Sequence, residues 1–130
     1  LARAEKVITE MADQYLDWVK VDLEKLQATY VALAAAGPGA KDEVARVFEV
    51  AHDMKGQGGS FGYDLITIIG NQVCRIIERS ETIGAAEIGA IGVHVDTMKL
   101  VISEDMKGDG GDIGKKILLG LEKVYDKVMG

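Results

Sequence analysis

The sequence predicts an all-α fold, an antiparallel four-helix bundle with an additional N-terminal helix or helices. Apolar residues recur at three- and four-residue steps, which is the spacing of amphipathic helices. Strand signals are weak, and there is one proline in 130 residues. Because 48% of the residues are hydrophobic, one core can form without metal or disulfide staples. We therefore expect residues 1–130 to form a single domain.

The elements follow from this spacing. The N-terminal segment, residues 1–36, has an apolar stripe that begins at Val7 and ends before Gly37-Pro38-Gly39, because glycine stops a helix and proline cannot extend one. We expect this segment to pack over one end or side of a four-helix core in residues 41–130. The four core helices are predicted at about residues 41–60, 64–80, 83–106 and 113–128.

Charge and composition exclude several classes of function. The net charge of −6 argues against nucleic acid and anionic membrane surfaces as partners, and is compatible with a soluble protein partner. No apolar run approaches the roughly 18–20 residues of a membrane span, and no signal pattern opens the chain. Cys74, the one cysteine, fits a reducing compartment and excludes a zinc site of several thiolates. We expect a cytoplasmic monomer without a metal or other cofactor.

The informative stretch surrounds His52. At 100° per residue, Lys55, Gly56 and Gly59 share the helix face of His52, and Phe48 completes that face on the N-terminal side. The predicted core stripe lies to one side of this face and comprises Val47, Ala51, Met54 and Gly58. His52 should therefore lie outside the core, flanked by a cation and by bare backbone.

This arrangement suits the transfer of a phosphoryl group. An exposed neutral imidazole is a competent nucleophile at cytoplasmic pH, and Lys55 could offset the two negative charges of a phosphoryl group on the ring. Each glycine inside a helix destabilises it by roughly 1 kcal/mol relative to alanine, so we expect the glycines here to have a compensating role. Gly56 and Gly59 remove side chains beside His52, which lets the backbone of another molecule come close.

The pattern His52-x-x-Lys55-Gly56, followed by Phe61-Gly62, resembles the H-x-x-K-G-x-x-x-x-x-G signature of histidine-containing phosphotransfer (HPt) domains. The resemblance implies that His52 is phosphorylated on Nε2, that Lys55 supports the phosphate and that Gly56 clears space for a receiver domain. Such a protein relays phosphate between aspartates of a sensor or hybrid histidine kinase and a response regulator. It is a phosphotransfer intermediate rather than an autonomous enzyme, and it has no ATP-binding domain.

Other functions stay open. The chain could be the phosphotransfer domain of a chemotaxis-type histidine kinase, whose phosphoryl donor is a catalytic domain using ATP. A dimerising kinase domain is a further alternative; Asp53 fits it, but Gln57 stands near where that family favours proline. From a different class, the chain could be a helical interaction module whose glycines serve packing alone.

Two further polar residues can be placed by counting. Gln72 lies about as far into its helix as His52 lies from the end of the preceding one, so Gln72 or Arg75 should stand level with His52. We expect Phe48, Gly56, Gly59 and Gln72 to contribute to partner docking, and Arg75 to be a solvated charge. His94 is followed by neither lysine nor glycine at the matching steps, so we expect a structural or surface histidine there.

Overall fold

The computed structural model describes residues 2–130, with the side chains of residues 2–5 and 7–13 left undescribed. Residue 1 and the Val7 side chain, where the apolar stripe was expected to begin, lie outside this description. Five helices follow one another along the chain, and residues 2–130 contain no strand, which confirms the all-α class. They are α1 (Ala2–Ala36), α2 (Lys41–Gly58), α3 (Asp64–Arg79), α4 (Ala85–Ser103) and α5 (Gly111–Met129), with a 3₁₀ turn at Gly59–Phe61 between α2 and α3.

The helix ends follow the glycines and charges of the sequence. Helix α1 gives way to Gly37, whose φ is +80°, a left-handed conformation that glycine adopts without strain. Asp42 and Glu43 in the first turn of α2 complement the positive end of its dipole. Helix α4 is shorter than the predicted 83–106, because Gly84 is extended and Asp105 turns the chain at a φ of 48°.

The helices pack around one apolar core. Helix α1 contacts α2 and α4, α3 also contacts α2 and α4, and α5 packs against α3 and α4. Helix α1 itself supplies buried side chains to this core. These are Tyr15, Val19, Leu23, Leu26 and Leu33. Within residues 2–130, no helix combines the length and the apolar character that crossing a bilayer requires.

Helices α2 and α3 approach each other closely through two glycines. A Cβ atom on Gly58 would lie 2.8 Å from Thr67 Oγ1 and 3.0 Å from the Tyr63 carbonyl oxygen. A Cβ atom on Gly70 would lie 3.0 Å from Lys55 Cβ. The 2.8 Å contact is shorter than a Cβ atom tolerates, and the two 3.0 Å contacts are tighter than ordinary packing, so a side chain at either position would require the neighbouring atoms to move. This close approach brings the polar side chains of α3 against the helix that carries His52.

Two alanine substitutions in α2 should have opposite effects on stability. Gly58→Ala should lower the free energy of unfolding by about 1–3 kcal/mol, because the new methyl group meets backbone atoms of the next helix. Gly56→Ala should raise it by up to about 1 kcal/mol, because a Cβ atom there meets nothing within 4 Å and alanine favours helix. Urea unfolding of both variants measures the difference; equal effects would contradict the packing described here.

His94 is a structural histidine of the core. Its ring is fully buried in α4. Its Nδ1–H donates to the Ala90 carbonyl oxygen at 2.7 Å, and its Nε2 lies 2.8 Å from the side-chain amide group of Gln72 on α3, whose NH2 group can donate to the neutral ring. Both ring nitrogens therefore have partners inside the protein, and His94 cannot reach a partner molecule. The sequence left open whether His94 is a structural or a surface histidine, and its burial confirms the structural alternative.

The stability of the fold should depend on pH through His94. Burial lowers the pKa of His94 below its ordinary value of 6.5. The unfolded chain then binds a proton at a pH where the folded ring stays neutral. The contribution of His94 to the free energy of unfolding is therefore fully present above about pH 6.5 and is lost as the pH falls below that value. We expect the urea midpoint of the wild type to fall more steeply between pH 7 and pH 5 than that of His94→Gln. Parallel profiles would show that His94 does not titrate differently on folding.

Candidate functional site

His52 lies on the outward face of α2. The predicted core stripe is confirmed, since Val47, Ala51, Met54 and Gly58 are all buried beneath it. The His52 side chain is exposed. The half-buried Phe48 ring, one turn earlier, lies 5.7 Å from the imidazole between ring centroids, tilted by 30°. Phe48 thus covers one side of the imidazole and leaves the rest open to solvent.

The space beside His52 is open on the C-terminal side. Gly56 is exposed, and a Cβ atom on it would meet nothing within 4 Å. His52 and Gly56 share a shallow depression with Asp22 of α1. Another molecule can therefore reach the imidazole over the bare backbone of Gly56.

Gly59 is also exposed, but it belongs to the 3₁₀ turn after α2. Its backbone N–H donates to Thr67 Oγ1 at 2.7 Å, and the Thr67 hydroxyl donates in turn to the Lys55 carbonyl oxygen at 3.0 Å. One side chain of α3 thus satisfies two backbone groups at the end of α2. Gly59 therefore belongs to the anchored end of the helix, one turn beyond Gly56.

Lys55 is hydrogen-bonded to α3 and has no carboxylate partner among the described side chains. Its side chain is half-buried, and Nζ donates to Asn71 Oδ1 at 3.3 Å. In the part of the chain whose side chains are described, no carboxylate lies within ion-pair distance of Lys55. Its hydrogen-bonding partner is a neutral amide, so the positive charge is not neutralised and further N–H groups remain for an anion.

The side chain of Gln72 is bonded to a residue of α4. Its side-chain amide pairs with the buried His94, although Gln72 also lines the groove beside Lys55 and Gly56. The preceding residue, Asn71, is the one whose amide reaches Lys55. Successive helical residues differ by 100°, and the close approach at Gly70 selects which of them faces α2. Counting residues along two helices gives only an expected level for each side chain, and it does not give the rotation of the helix about its own axis.

Asn71 and Thr67 are therefore site residues that the sequence did not indicate. Both lie on α3, and both act on Lys55, one through its ammonium group and the other through its carbonyl oxygen. Their spacing of four residues places them on one face of α3, but amphipathic helices often have polar residues at that spacing. Only the two glycine contacts identify that face as the one against α2.

The described part of the chain contains no group of three or more His, Cys, Asp or Glu side chains that could hold a metal ion. Comparison with known proteins finds no significant match to a family model, a curated protein or a solved structure.

Proposed function

We propose that this chain is a phosphorelay histidine phosphotransfer protein. His52 accepts a phosphoryl group from a receiver-domain aspartate, or from a kinase, and passes it to the aspartate of a response regulator. The observation that carries the proposal is the exposed imidazole on the outward face of α2, with open space over Gly56 and the un-neutralised Lys55 beside it. The resemblance of His52-x-x-Lys55-Gly56 to HPt domains agrees with this geometry.

The proposed step balances without a cofactor on this chain. The lone pair of His52 Nε2 attacks the phosphorus of an aspartyl phosphate, a P–N bond forms, and the P–O bond to the aspartate breaks. The aspartate leaves as a carboxylate, and the ring loses its Nδ1 proton to solvent. A magnesium ion on the receiver would supply most of the charge stabilisation in the transition state. Return of the phosphoryl group to a second aspartate is the same step reversed.

The packing supports the proposed bundle. Helices α1, α2, α3 and α4 contact one another in a closed ring, α1 with α2, α2 with α3, α3 with α4, and α4 with α1. We propose that these four form the antiparallel four-helix bundle and that α5, packed on α3 and α4, is the additional helix. The sequence prediction instead treated the N-terminal segment, residues 1–36, as the addition to the bundle. A monomer in the cytoplasm fits the proposed role.

The test is phosphate uptake by the purified protein. A receiver domain labelled with radioactive acetyl phosphate should transfer its label to the chain, and the bond should be acid-labile and stable to base, as expected of a phosphoramidate. Labelling only by a chemotaxis-type kinase with ATP would favour the kinase-domain alternative. If neither donor labels the chain, the proposal is contradicted, and the helical interaction module is the alternative that remains.

Lys55→Ala should slow transfer or shorten the lifetime of phosphohistidine by about tenfold. This factor corresponds to the loss of one charged hydrogen bond of about 1.4 kcal/mol. Gln72→Ala should change transfer less, because its amide is engaged with His94. Lys115→Ala, an exposed lysine of α5, is the matched control. Decay and transfer rates of the three variants measure the ranking; a larger effect at Gln72 than at Lys55 would reverse it.

A further inference from the structure

A groove between α2 and α3 reaches Gly56, one helical turn from His52, and the charged residues that line it are all positive. Lys55 and Arg75 are the ionisable residues that line it, and no carboxylate does. The remaining lining residues are Gly56, Thr67, Ile68, Asn71 and Gln72. This is a local reversal of sign in a chain whose net charge is −6. We call this surface the basic groove.

The opposite side of His52 has a different charge. The cleft between α1 and α2 is lined by the carboxylates of Asp22, Glu49 and Asp53, against the two cations Lys25 and Arg46. Asp22 and Asp53 also line the depression that contains His52 itself. The phosphoacceptor therefore lies on a boundary, with an acidic surface towards α1 and a basic surface towards α3.

Neither cation of the basic groove is neutralised by its own chain. Arg75 is exposed, and in the described part of the chain no carboxylate forms an ion pair with it or with Lys55. Asn71 holds the Lys55 ammonium group at the groove wall. The side chain of Ile68, 37% exposed, adds an apolar contact to the lining. Such a surface favours a partner that presents negatively charged groups beside an apolar side chain.

We propose that the basic groove receives the acidic cluster surrounding the phosphorylated aspartate of the partner receiver, and that Arg75 is the residue that guides it there. This inference rests on the proposed function. An aspartyl phosphate that reacts with the help of a magnesium ion needs further carboxylates to hold the metal, so the partner's reacting surface is negative. The basic groove then sets the orientation of the receiver, with its acidic cluster over α3 and away from Asp22 and Asp53.

A charge at the rim of an interface acts mainly on the association rate and on its dependence on salt. The experiment measures the second-order rate of phosphate transfer to the chain from a receiver domain phosphorylated with acetyl phosphate, at about 20 mM and about 500 mM salt. The receiver is the one of a purified panel that transfers fastest to the wild type. Arg75→Glu is compared with Lys116→Glu, which makes the same change of charge at an exposed position of α5.

Arg75→Glu should reduce the rate at low salt at least fivefold more than Lys116→Glu, and the difference should shrink at high salt, where charges are screened. Arg75→Gln should give an intermediate rate, and thermal unfolding of each variant confirms that it is folded. If the wild type takes up phosphate and Arg75→Glu does so as fast as Lys116→Glu, the basic groove is not the docking surface. If the wild type takes up no phosphate from any receiver, the proposed function and this inference both fail.

Discussion

Replacing His52 by glutamine is expected to abolish phosphate uptake and leave the fold intact. Glutamine has no ring nitrogen that can attack phosphorus, and no other exposed histidine exists in the described part of the chain. Because the His52 side chain is exposed, the free energy of unfolding should change by no more than about 0.5 kcal/mol. Labelling by a phosphorylated receiver and thermal unfolding, measured on the same preparation, test both parts.

His94→Gln is the control for the His52 variant. It removes the only other histidine of the chain, whose ring is buried and bonded to Ala90 and Gln72. We expect it to lower stability and to keep phosphate uptake in the folded protein. Undiminished labelling of His52→Gln would move the acceptor away from His52 and contradict the proposed function.

Replacing Gly56 by glutamine is expected to separate docking from folding. Glutamine suits a helix better than glycine, and space is open at this position, so thermal stability should hold or rise. Its side chain would fill the space through which the proposed receiver partner would reach His52. Transfer from a phosphorylated receiver should fall by more than about tenfold, the equivalent of about 1.4 kcal/mol in the barrier. Labelling by acetyl phosphate alone should fall much less, because a small donor needs less room.

Gly89→Gln provides a matched comparison for Gly56→Gln. Gly89 is an exposed glycine inside α4, where a Cβ atom also meets nothing within 4 Å. The gain in helix stability should therefore be similar, and transfer should be unaffected. If Gly56→Gln unfolds the protein while Gly89→Gln does not, Gly56 is a packing device and the interaction-module alternative gains.

The sequence was sufficient to predict which face of α2 is buried. Val47, Ala51, Met54 and Gly58 repeat at helical steps, and a stripe of that kind can face only the core. The exposure of His52 and Gly56 follows from the same geometry. The predicted helix ends were less accurate where a turn depends on particular backbone angles. Gly84 and Asp105 are examples, because they shorten α4 at both ends.

Contacts between helices could not be predicted with the same precision. Counting residues placed Gln72 level with His52, but the rotation of α3 depends on Gly58 and Gly70, which fit against atoms of the other helix. That rotation turns Asn71 to Lys55 and the Gln72 amide to His94. Nothing in the local pattern distinguishes these two neighbouring amides. The partner of Lys55 is therefore a property of the tertiary packing.

The Thr67 hydroxyl, which joins the Lys55 carbonyl oxygen to the Gly59 amide, would affect the speed of the proposed relay. It ties the end of α2 to α3 where the two helices are closest, so His52 and Lys55 belong to one preorganised body. A partner that meets a preformed surface pays little ordering entropy on binding, and needs fewer contacts to reach a given affinity. A carrier must also release each partner before it can meet the next. A preformed contact surface allows brief encounters, and the rate of the proposed relay would then depend on how often partners collide rather than on how long they stay bound.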